Sequence, residues 1–378
     1  MLAGEGRGPT PANAMNRPQR NNSEAHADQV VGATIESIKL GLDVHADSIV
    51  VVRIFDHCPP QPAQRFTPEG FLGWVKKQFA QAKKIYSCYE AGPLGYGLHR
   101  QLTAMGVTNF VTQPVCLDER HKGVNNDKSD ARELASRLDR YLAGNHRAMG
   151  VVRVPTVEEE QRRLVSRMRE QMKREQKRVE AQARGLLLSQ GYREKRGWWG
   201  PRRWKALSAQ VPEWLRKCLE RYLVVLGVLK EQLKELTEAL EEAAAQRRPR
   251  GMGGLTTETV DREVGDWNRF KNRRQVGGYS GLCGGISSSG NTTQLLSITK
   301  CGNVRLRTAL VELAWRMVKW QPQCPLVKKW MKVLAGPKAG KGAKKKAIVA
   351  IARQLAVDLW RWRTGRVTPE QLGWAMVG

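Results

Sequence analysis

Hydrophobic residues cluster in two short segments near the beginning of the chain. The first covers about 37–42, and the second, about 48–55, contains the uninterrupted run Ile49, Val50, Val51 and Val52. Short runs of branched apolar residues predict buried β-strands. The few polar residues between the segments predict a tight turn, so the two strands are expected to form a hairpin with Asp43 at the end of the first strand.

Helical and strand-like patterns then alternate up to about residue 145. Helices are predicted from apolar residues at helical spacing, and strands from shorter apolar runs. The helices cover about 68–83, 94–105 and 126–142, and the strands about 84–89 and 109–113. A hairpin followed by alternating helices and strands predicts a mixed sheet with helices on its faces. We therefore expect residues 35–145 to form an α/β domain.

Two long amphipathic helices are predicted in the middle of the chain. Apolar residues recur every three, four or seven positions over about 156–190 and again over about 211–246, among dense charged residues. This pattern is typical of helices that pack as a helical hairpin or a coiled coil. Region 146–250 is predicted to separate two domains or to join protomers. Its Arg- and Trp-rich link, 191–208, can alternatively stack on nucleic acid.

The two ends of the chain differ in composition. Residues 1–34 are rich in Asn, Pro, Gly and Ala and have little apolar periodicity, which predicts a disordered tail. Residues 251–378 return to helical periodicity, which predicts a mainly helical last domain. The sequence contains no run of about 18 apolar residues, so we expect no membrane span.

The charge of the chain indicates a polyanionic partner. The 378 residues carry a formal net charge of +28, and residues 271–378 alone hold 20 Lys and Arg against three acids, a net charge of +17. This balance is typical of proteins that bind nucleic acid or an anionic membrane surface. The seven cysteines are scattered without a C-x-x-C pair, which predicts reduced thiols in a cytoplasmic protein and no structural zinc site.

Four carboxylates lie at predicted element ends of the α/β domain. Two end strands, Asp43 and Glu90, and two begin a helix on one face, Asp127 and Asp130. Acids gathered at one sheet edge repel one another unless a divalent cation lies between them, and oxygen ligands favour Mg²⁺ or Mn²⁺. Two such ions can hold the attacking and leaving oxygens of a phosphodiester. The alternative is that Asp127 caps the helix and Asp130 is a favourable first-turn acid.

A Gly- and Ser-rich segment in the last domain offers candidate nucleophiles. Its composition over about 276–302 predicts an exposed, flexible loop. Five hydroxyls compete for the role of nucleophile on chemistry alone: Ser289, Ser287, Ser288, Ser297 and Tyr279. The loop leads into a helix over about 304–320, whose start can seat a phosphate group. The residues predicted to contact nucleic acid there are Lys300, Asn303, Arg305 and Arg307.

Several motifs together give the chain a resemblance to a known family. They read GLDVH, YEAG and DKSDA in the first domain, then GGYSGL, SSSG, ITKCGNVRLR and LVELAW in the last. In this order the motifs resemble the DEDD transposases of the IS-one-ten insertion-sequence family, related to Piv-type DNA invertases. The resemblance covers about 38–142 and 251–320. The sequence departs from the family pattern at two positions beside the motifs. Cys283 follows GL where the family usually has proline, and Thr299 precedes Lys300 where the family usually has serine.

The resemblance implies a fold and a set of roles. The implied architecture is a RuvC-like (ribonuclease-H-like) domain, a coiled-coil spacer and a C-terminal transposase domain. Asp43, Glu90, Asp127 and Asp130 match the family's metal ligands, and Ser289 matches its serine nucleophile. The family also uses a non-coding RNA, encoded by the element, that pairs with donor and target DNA. Expected partners are therefore donor and target DNA, this guide RNA, and a second copy of the chain in a dimer or tetramer.

Three functions of different class are consistent with these residues. The first is a transposase of an insertion sequence, working in the cytoplasm at the nucleoid of a bacterium or archaeon, that cuts and rejoins DNA through a phosphoserine. The second is a resolvase of Holliday junctions, or another metal-dependent nuclease, in which water is the nucleophile. The third is a non-catalytic scaffold that binds nucleic acid. The complete carboxylate set argues against the third, and the Ser-Gly pair in the matching frame argues against the second.

Overall fold

A computed structural model of the protein describes residues 35–114, 126–244, 248–289, 292–336 and 340–377. The chain divides into two units, Met1–Val154 and Pro155–Gly378. The tail predicted over 1–34 lies outside the described residues. None of the helices in the described part of the chain is long and apolar enough to cross a membrane.

The first unit is built on one five-stranded sheet. Its elements, in chain order, are β1 (Ile35–Val44), β2 (Ile49–Phe55), β3 (Gln64–Phe66), α1 (Pro68–Gln78), β4 (Ala82–Glu90), α2 (Gly97–Ala104), β5 (Thr108–Thr112) and α3 (Asp127–Leu142). The strand order is β3-β2-β1-β4-β5. β1 runs antiparallel to β2 and parallel to β4, and β5 is parallel to β4. The predicted mixed α/β sheet is therefore confirmed.

Helices cover both faces of this sheet because its central strands are apolar on both sides. On one face, Leu40 and Leu42 of β1 belong to a buried cluster with Phe71 of α1 and Leu102 of α2. On the other face, alternate residues of β2 pack against α3. The uninterrupted apolar run of β2 is thus explained by burial from two directions.

Three boundaries in the first unit differ from the prediction. β1 continues to Val44, so Asp43 lies inside the strand, paired with Val50 of β2, whereas the sequence pattern ended the strand at Asp43. The predicted helix over about 68–83 is too long, since α1 ends at Gln78 and β4 already begins at Ala82. The apolar residues near this boundary fit the spacing of a helix as well as that of a strand, so the pattern did not separate the two elements. The short edge strand β3 was not predicted, since three residues carry too little pattern.

The second unit begins with the predicted helical hairpin. α4 (Val157–Ser189) and α6 (Glu213–Glu242) pack along one another and are joined through the short helix α5 (Pro201–Ser208). The end of α4 and the start of α6 share a buried cluster that includes Leu187 and Leu215, whereas Arg169 near the start of α4 donates to Thr237 near the end of α6. The two helices are therefore antiparallel within one chain. Trp198 in the link is fully buried in the same cluster, so it is a core residue.

The remaining helices of the second unit surround a larger core. In chain order the elements are β6 (Arg248–Pro249), α7 (Gly254–Val264), a 3-10 turn (Trp267–Arg269), α8 (Arg273–Ser280), β7 (Gly284–Ser289), β8 (Thr292–Ile298), α9 (Val304–Trp320), α10 (Pro325–Ala335), α11 (Lys341–Arg363) and β9 (Met376–Val377). β6 pairs with β9. Leu310 of α9 and Leu355 of α11 are fully buried in the core that these helices share.

The Gly- and Ser-rich segment is not the irregular loop that its composition predicted. Residues Gly284–Ser289 and Thr292–Ile298 form an antiparallel hairpin, with a bulge between Gly284 and Ile286. The second strand contains Thr and Ile, which favour extended backbone, and pairing then orders the serines of the first strand. Ser289 is the last residue of β7 and pairs with Thr292.

Candidate active site

Two of the predicted carboxylates meet at the end of β1. Asp43, His45 and Asp127 each offer one ligand atom, and these atoms all lie within 4.8 Å of one another. His45 Nε2 is 3.1 Å from Asp43 Oδ2 and 3.9 Å from Asp127 Oδ1. Asp43 is 23% exposed and Asp127 36% exposed, so the cluster opens to solvent on one side. Two carboxylate oxygens and an imidazole nitrogen are ligands for a divalent cation.

The fold explains why Asp43 and Asp127 are neighbours. Gly41 and Asp43 are two residues apart in β1 and therefore face the same side of the sheet. On that side the backbone of α3 lies directly over Gly41, against Ala131 and Ala135. Asp127 is one helical turn before Ala131, at the first position of α3. The close approach at Gly41 thus brings the start of α3 to the end of β1.

The pKa of Asp43 is raised by its surroundings. Burial raises the pKa of Asp43, the charges of Asp127 and Asp130 raise it further, and the hydrogen bond to His45 offsets only part of this. An acid whose pKa is raised in this way is more stable next to a positive charge. The charge of a bound cation would therefore be favourable at this position.

Asp127 has a cationic partner in the structure and does not cap its helix. Arg65 on β3 forms an ion pair with Asp127, and this hydrogen bond is the main reason that the pKa of Asp127 is lowered. The helix is capped instead by Asn126, whose Oδ1 accepts from the backbone N of Ser129 at 2.9 Å. The alternative explanation of Asp127 as the capping residue is therefore wrong, and its carboxylate faces Asp43 and His45.

The other two predicted ligands lie in the first turn of α3 and at the end of β4. Asp130 follows Asp127 in the first turn of α3, and its charge acts on Asp43. Glu90 is the exposed last residue of β4 and pairs with Thr112. β1 and β4 are parallel, and their last paired residues, Leu42 and Tyr89, directly precede Asp43 and Glu90. The two carboxylates therefore leave the same edge of the sheet on neighbouring strands, although Glu90 and Asp130 are not among the three residues that lie within 4.8 Å of one another.

The hairpin that carries Ser289 is held at its base by one arginine. Arg307 Nη1 donates to the carbonyl oxygen of Ser280 at 3.1 Å and to that of Lys300 at 3.0 Å. Ser280 precedes β7 and Lys300 follows β8, so Arg307 bridges the two sides of the hairpin. Gly281 has φ of 65° at this point, and a Cβ there would lie 2.4 Å from the carbonyl oxygen of Cys301. Only glycine fits this turn.

Two of the remaining residues predicted to contact nucleic acid, Asn303 and Arg305, also have side-chain partners within the chain. Asn303 caps α9 through the backbone N of Leu306 and donates Nδ2 to Glu263 Oε2 at 2.7 Å. Arg305 pairs with Glu170 on α4. Lys300 is exposed and has φ of 57°, a backbone conformation that is unusual outside glycine. A role of these residues in binding phosphate stays a prediction, and the structure adds that Asn303 and Arg307 shape the segment around Ser289.

Three residues of these two regions were not predicted from the sequence. His45 is the first residue after β1 and belongs to the same GLDVH motif as Asp43, so its place beside Asp43 in the sequence could have identified it. Arg65 lies on β3, the strand that itself was not predicted. Glu263 is fully buried and accepts two hydrogen bonds from Arg167 on α4, at 2.9 Å each, besides the one from Asn303. No local pattern marks Glu263, because its partners are 96 and 40 positions away.

Comparison with known proteins connects these features to a family. The profile described as "Transposase IS116/IS110/IS902 family" matches residues 247–327, a range that contains the hairpin and Ser289. The chain is 32% identical over 308 residues to the putative transposase y4rJ of Sinorhizobium fredii, covering 74% of this chain and 77% of that protein. It is 27% identical over 285 residues to the transposase for insertion sequence element IS1111A of Coxiella burnetii, covering 71% of this chain and 75% of that protein.

These alignments cover 74% and 71% of this chain, more than either of its two units holds, so each extends into both units. The chain therefore belongs to the IS116/IS110/IS902 family of transposases.

Proposed function

We propose that the protein cuts and rejoins DNA as the transposase of an insertion sequence, with Ser289 as nucleophile and a cation-binding carboxylate site. The observation that carries the proposal is the meeting of Asp43 and Asp127 at one sheet edge, in a member of a transposase family. In this proposal residues 35–145 provide the carboxylates, 146–250 join protomers, and 251–378 provide the serine. The mixed sheet and the helix across it support the RuvC-like fold that the motifs imply.

The residues at the sheet edge fit a hard divalent cation. Burial, and to a smaller extent the charges of Asp127 and Asp130, raises the pKa of Asp43, and the positive charge of a bound cation would offset both effects. The donor atoms are carboxylate oxygens beside one imidazole, which suit such a cation. Asp43, Asp127, Asp130 and Glu90 would hold Mg²⁺ or Mn²⁺, with His45 as a further neighbour. When bound, such an ion supplies positive charge to the reacting phosphate oxygens.

In the proposed reaction, Ser289 takes part in two successive transesterification steps. Its hydroxyl oxygen would attack phosphorus, so that the Oγ–P bond forms, the P–O3′ bond breaks, and the serine proton passes to solvent. The 3′ oxygen takes up a proton and leaves as a hydroxyl. A 3′ hydroxyl from a second strand then attacks the phosphoserine and releases Ser289, so the number of phosphodiester bonds is conserved. The serine and the carboxylates belong to different units of the chain, and in this proposal strand exchange requires both.

Two further parts of the proposal concern partners. The long helices α4 and α6 leave exposed apolar residues, Leu164, Val224 and Val228 among them, which support a coiled-coil contact with a second protomer. The motif resemblance and the net charge of +28 support binding of an element-encoded guide RNA beside donor and target DNA. Sequencing of RNA that copurifies with the full chain tests the second point, because an unspecific mixture of cellular RNA would contradict it.

A covalent-trapping assay tests the central step. Full-length protein with its copurified RNA is mixed with Mg²⁺ and a nicked DNA substrate that prevents rejoining, and the denatured products are analysed by mass spectrometry. We expect a DNA adduct on Ser289 that Ser289→Ala abolishes. Ser287→Ala and Ser288→Ala serve as matched controls, because they change the same strand and should keep the adduct.

The same assay separates the proposal from its main alternative. Metal-dependent cleavage by Ser289→Ala, without any adduct in the unchanged protein, would identify water as the nucleophile and favour a resolvase-like nuclease. An adduct on another residue of the hairpin would support the transposase function but assign the role of nucleophile to that residue. A protein that binds DNA without cleaving it under these conditions would contradict the catalytic proposal as a whole.

A further inference from the structure

A cationic groove lies beside the hairpin in the second unit. Its volume is about 830 Å³, and it runs between α8, α10, α11 and the base of the β7–β8 hairpin. Six of its lining side chains are cationic: Arg273, Arg274, Lys329, Lys345, Lys346 and Arg353. Among the described residues, none that lines the groove is acidic. The groove is therefore a positive channel on a unit that is already strongly basic.

The positive charges that line the groove are not neutralised by acidic side chains of the described residues. All six cationic residues are exposed, and none of their side chains forms a hydrogen bond or ion pair with another residue in the described parts of the chain. Some other cations of this unit are paired, for example Arg167 with Glu263 and Arg363 with Asp261. Clustered cations without counter-charges repel one another and attract a polyanion.

The bottom of the groove is apolar and includes an aromatic ring. Trp330 of α10 is partly buried against the core, so part of its indole faces the groove. Leu296 of β8 is 52% exposed and lines the same groove beside Ile298. An exposed apolar surface flanked by cations is the arrangement that binds unpaired nucleotides, because bases stack on the apolar surface while phosphates meet the charges.

We propose that this groove binds a single DNA strand next to the scissile phosphate. The proposal rests on the function proposed above, since the groove shares β7 and β8 with Ser289 and a strand that reaches Ser289 is DNA. A duplex fits less well, because its bases are stacked inside and cannot reach Trp330 and Leu296. The neutral polar groups in the lining are few, Ser297 and Gln354, which favours sequence-independent contact with the strand.

The hairpin sets the distance between the groove and the reacting phosphate. Gly284 lines the groove and Ser289 ends the same strand five residues later. At a rise of about 3.3 Å per residue the two positions are roughly 17 Å apart along β7. A stacked strand advances about 3.4 Å per nucleotide, so the groove would hold nucleotides about five positions from the cleaved bond.

Binding measurements on the full-length protein test the groove. The probe is a fluorescent single-stranded DNA of about 15 nucleotides, and its affinity is measured by anisotropy at several salt concentrations. We expect Lys329→Gln/Lys346→Gln to weaken binding about tenfold at 0.15 M salt and to reduce the salt slope by about 1.4, because each lost phosphate contact contributes about 0.7. The control is Lys230→Gln/Lys234→Gln, which removes the same charge from exposed positions on α6 and should leave the slope unchanged.

A second variant tests the stacking surface without changing charge. Trp330→Leu is expected to weaken single-stranded DNA binding several-fold at an unchanged salt slope. Melting temperatures of all variants establish that each is folded. An equal loss in the α6 control, an equal loss for duplex DNA, or a loss confined to RNA of the same sequence would each overturn the proposal. The RNA result would assign the groove to the guide.

The groove and the serine chemistry can fail separately. The anisotropy assay involves no bond cleavage and no divalent cation, so it measures binding to the groove even if no adduct forms on Ser289. A normal adduct together with unchanged binding by Lys329→Gln/Lys346→Gln would reject the groove and keep the transposase mechanism. Weakened binding by Lys329→Gln/Lys346→Gln, together with no adduct in the unchanged protein, would support the groove and reject the serine mechanism.

Discussion

The backbone of Gly41 in β1 lies directly against that of Ala135 in α3. A Cβ built on Gly41 would lie 2.2 Å from Ala135 N and 2.2 Å from Ala131 O, so no side chain fits between strand and helix. Asp43 lies two residues after Gly41 on the same face, and Asp127 lies one turn before Ala131. The distance between the two carboxylates thus depends on a contact that only glycine allows.

Substitution of Gly41 by alanine tests this dependence. The added methyl group must push α3 away from the sheet, because both neighbouring atoms are backbone. We expect the free energy of unfolding to fall by about 2–3 kcal/mol, as in overpacked cores. DNA cleavage should fall further than the loss of folded protein explains, since Asp127 moves away from Asp43. Urea denaturation and cleavage rates measured on the same preparations check both expectations.

A matched substitution at Gly73 is the control for Gly41→Ala. Gly73 lies exposed in the middle of α1, and a Cβ there meets nothing within 4 Å. Gly73→Ala should therefore raise the free energy of unfolding by about 0.5–1 kcal/mol, because alanine favours the helix. If Gly41→Ala behaves like Gly73→Ala, the close approach of α3 does not govern the site.

Removal of the Asp43 carboxylate should abolish stabilisation by Mg²⁺. A ligand that binds only the folded protein raises its stability, by about 2.7 kcal/mol at 100 times the dissociation constant. We expect Mg²⁺ to raise the melting temperature of the unchanged protein and to leave that of Asp43→Asn unaltered. Because the pKa of Asp43 is raised in the folded state, its charge opposes folding when no cation is bound. Asp43→Asn should therefore be at least as stable without Mg²⁺.

Asp47 provides the matched control for Asp43. It is an exposed aspartate in the turn after β1, four positions from Asp43. Asp47→Asn removes one negative charge from the same region and should keep the full response to Mg²⁺. An equal loss of the response in both variants would mean that Mg²⁺ acts through general charge screening. Calorimetric titration with Mn²⁺ gives an independent measure of the site.

Local patterns predict the elements of the first unit well, because its strands are apolar and its helices strongly periodic. The hairpin around Asp43 and the helix that begins at Asp127 follow from residues adjacent in sequence. What brings Asp43 and Asp127 together is the contact of Gly41 with α3, more than 80 positions away, and a lone glycine in a strand does not reveal its partner. Arg65 was missed for a related reason, since its strand exists only by pairing with β2.

For the region around Ser289, the local sequence pattern predicted the wrong secondary structure. Composition alone predicted a loop, because glycine and serine disfavour strands. Pairing of β7 with β8 overrides this tendency, and Arg307 closes the base through contacts with Ser280 and Lys300. Tertiary contacts of this kind have no local signature. The motif resemblance predicts Ser289 as the nucleophile, whereas the fold of the segment around it could not be derived from the motifs.

The buried Glu263 should make stability depend on pH. Burial raises the pKa of Glu263, but its hydrogen bonds from Arg167 and Asn303 and the nearby positive charges outweigh this and lower it overall. The folded state therefore holds this proton less tightly than the unfolded chain, whose glutamates titrate near 4.3. The stabilisation is complete above that pH and is lost as the pH falls through the lower pKa of the folded state. We expect Glu263→Gln to remove about 3 kcal/mol of stability at pH 7.

The pH dependence distinguishes this effect from a simple loss of packing. In urea denaturation from pH 7 down to pH 3, the difference between the unchanged protein and Glu263→Gln should shrink as the carboxylate becomes protonated. Glu312→Gln, an exposed glutamate on α9, is the control and should show a small difference that does not vary with pH. A constant difference for Glu263→Gln over the whole range would contradict the assigned ion pair.

The two hydrogen bonds of Arg307 predict that this residue acts by holding the hairpin. Arg307→Gln removes the donor that reaches Ser280 and Lys300, which should cost about 1–2 kcal/mol. We expect amide exchange in β7 and β8 to become about tenfold faster, and adduct formation on Ser289 to slow, while affinity for DNA stays near normal. Arg305→Gln is the control, because Arg305 pairs with Glu170 on α4 and, among the described residues, no hydrogen bond or ion pair joins its side chain to the hairpin. A large loss of DNA affinity with unchanged amide exchange would instead assign Arg307 to the phosphate.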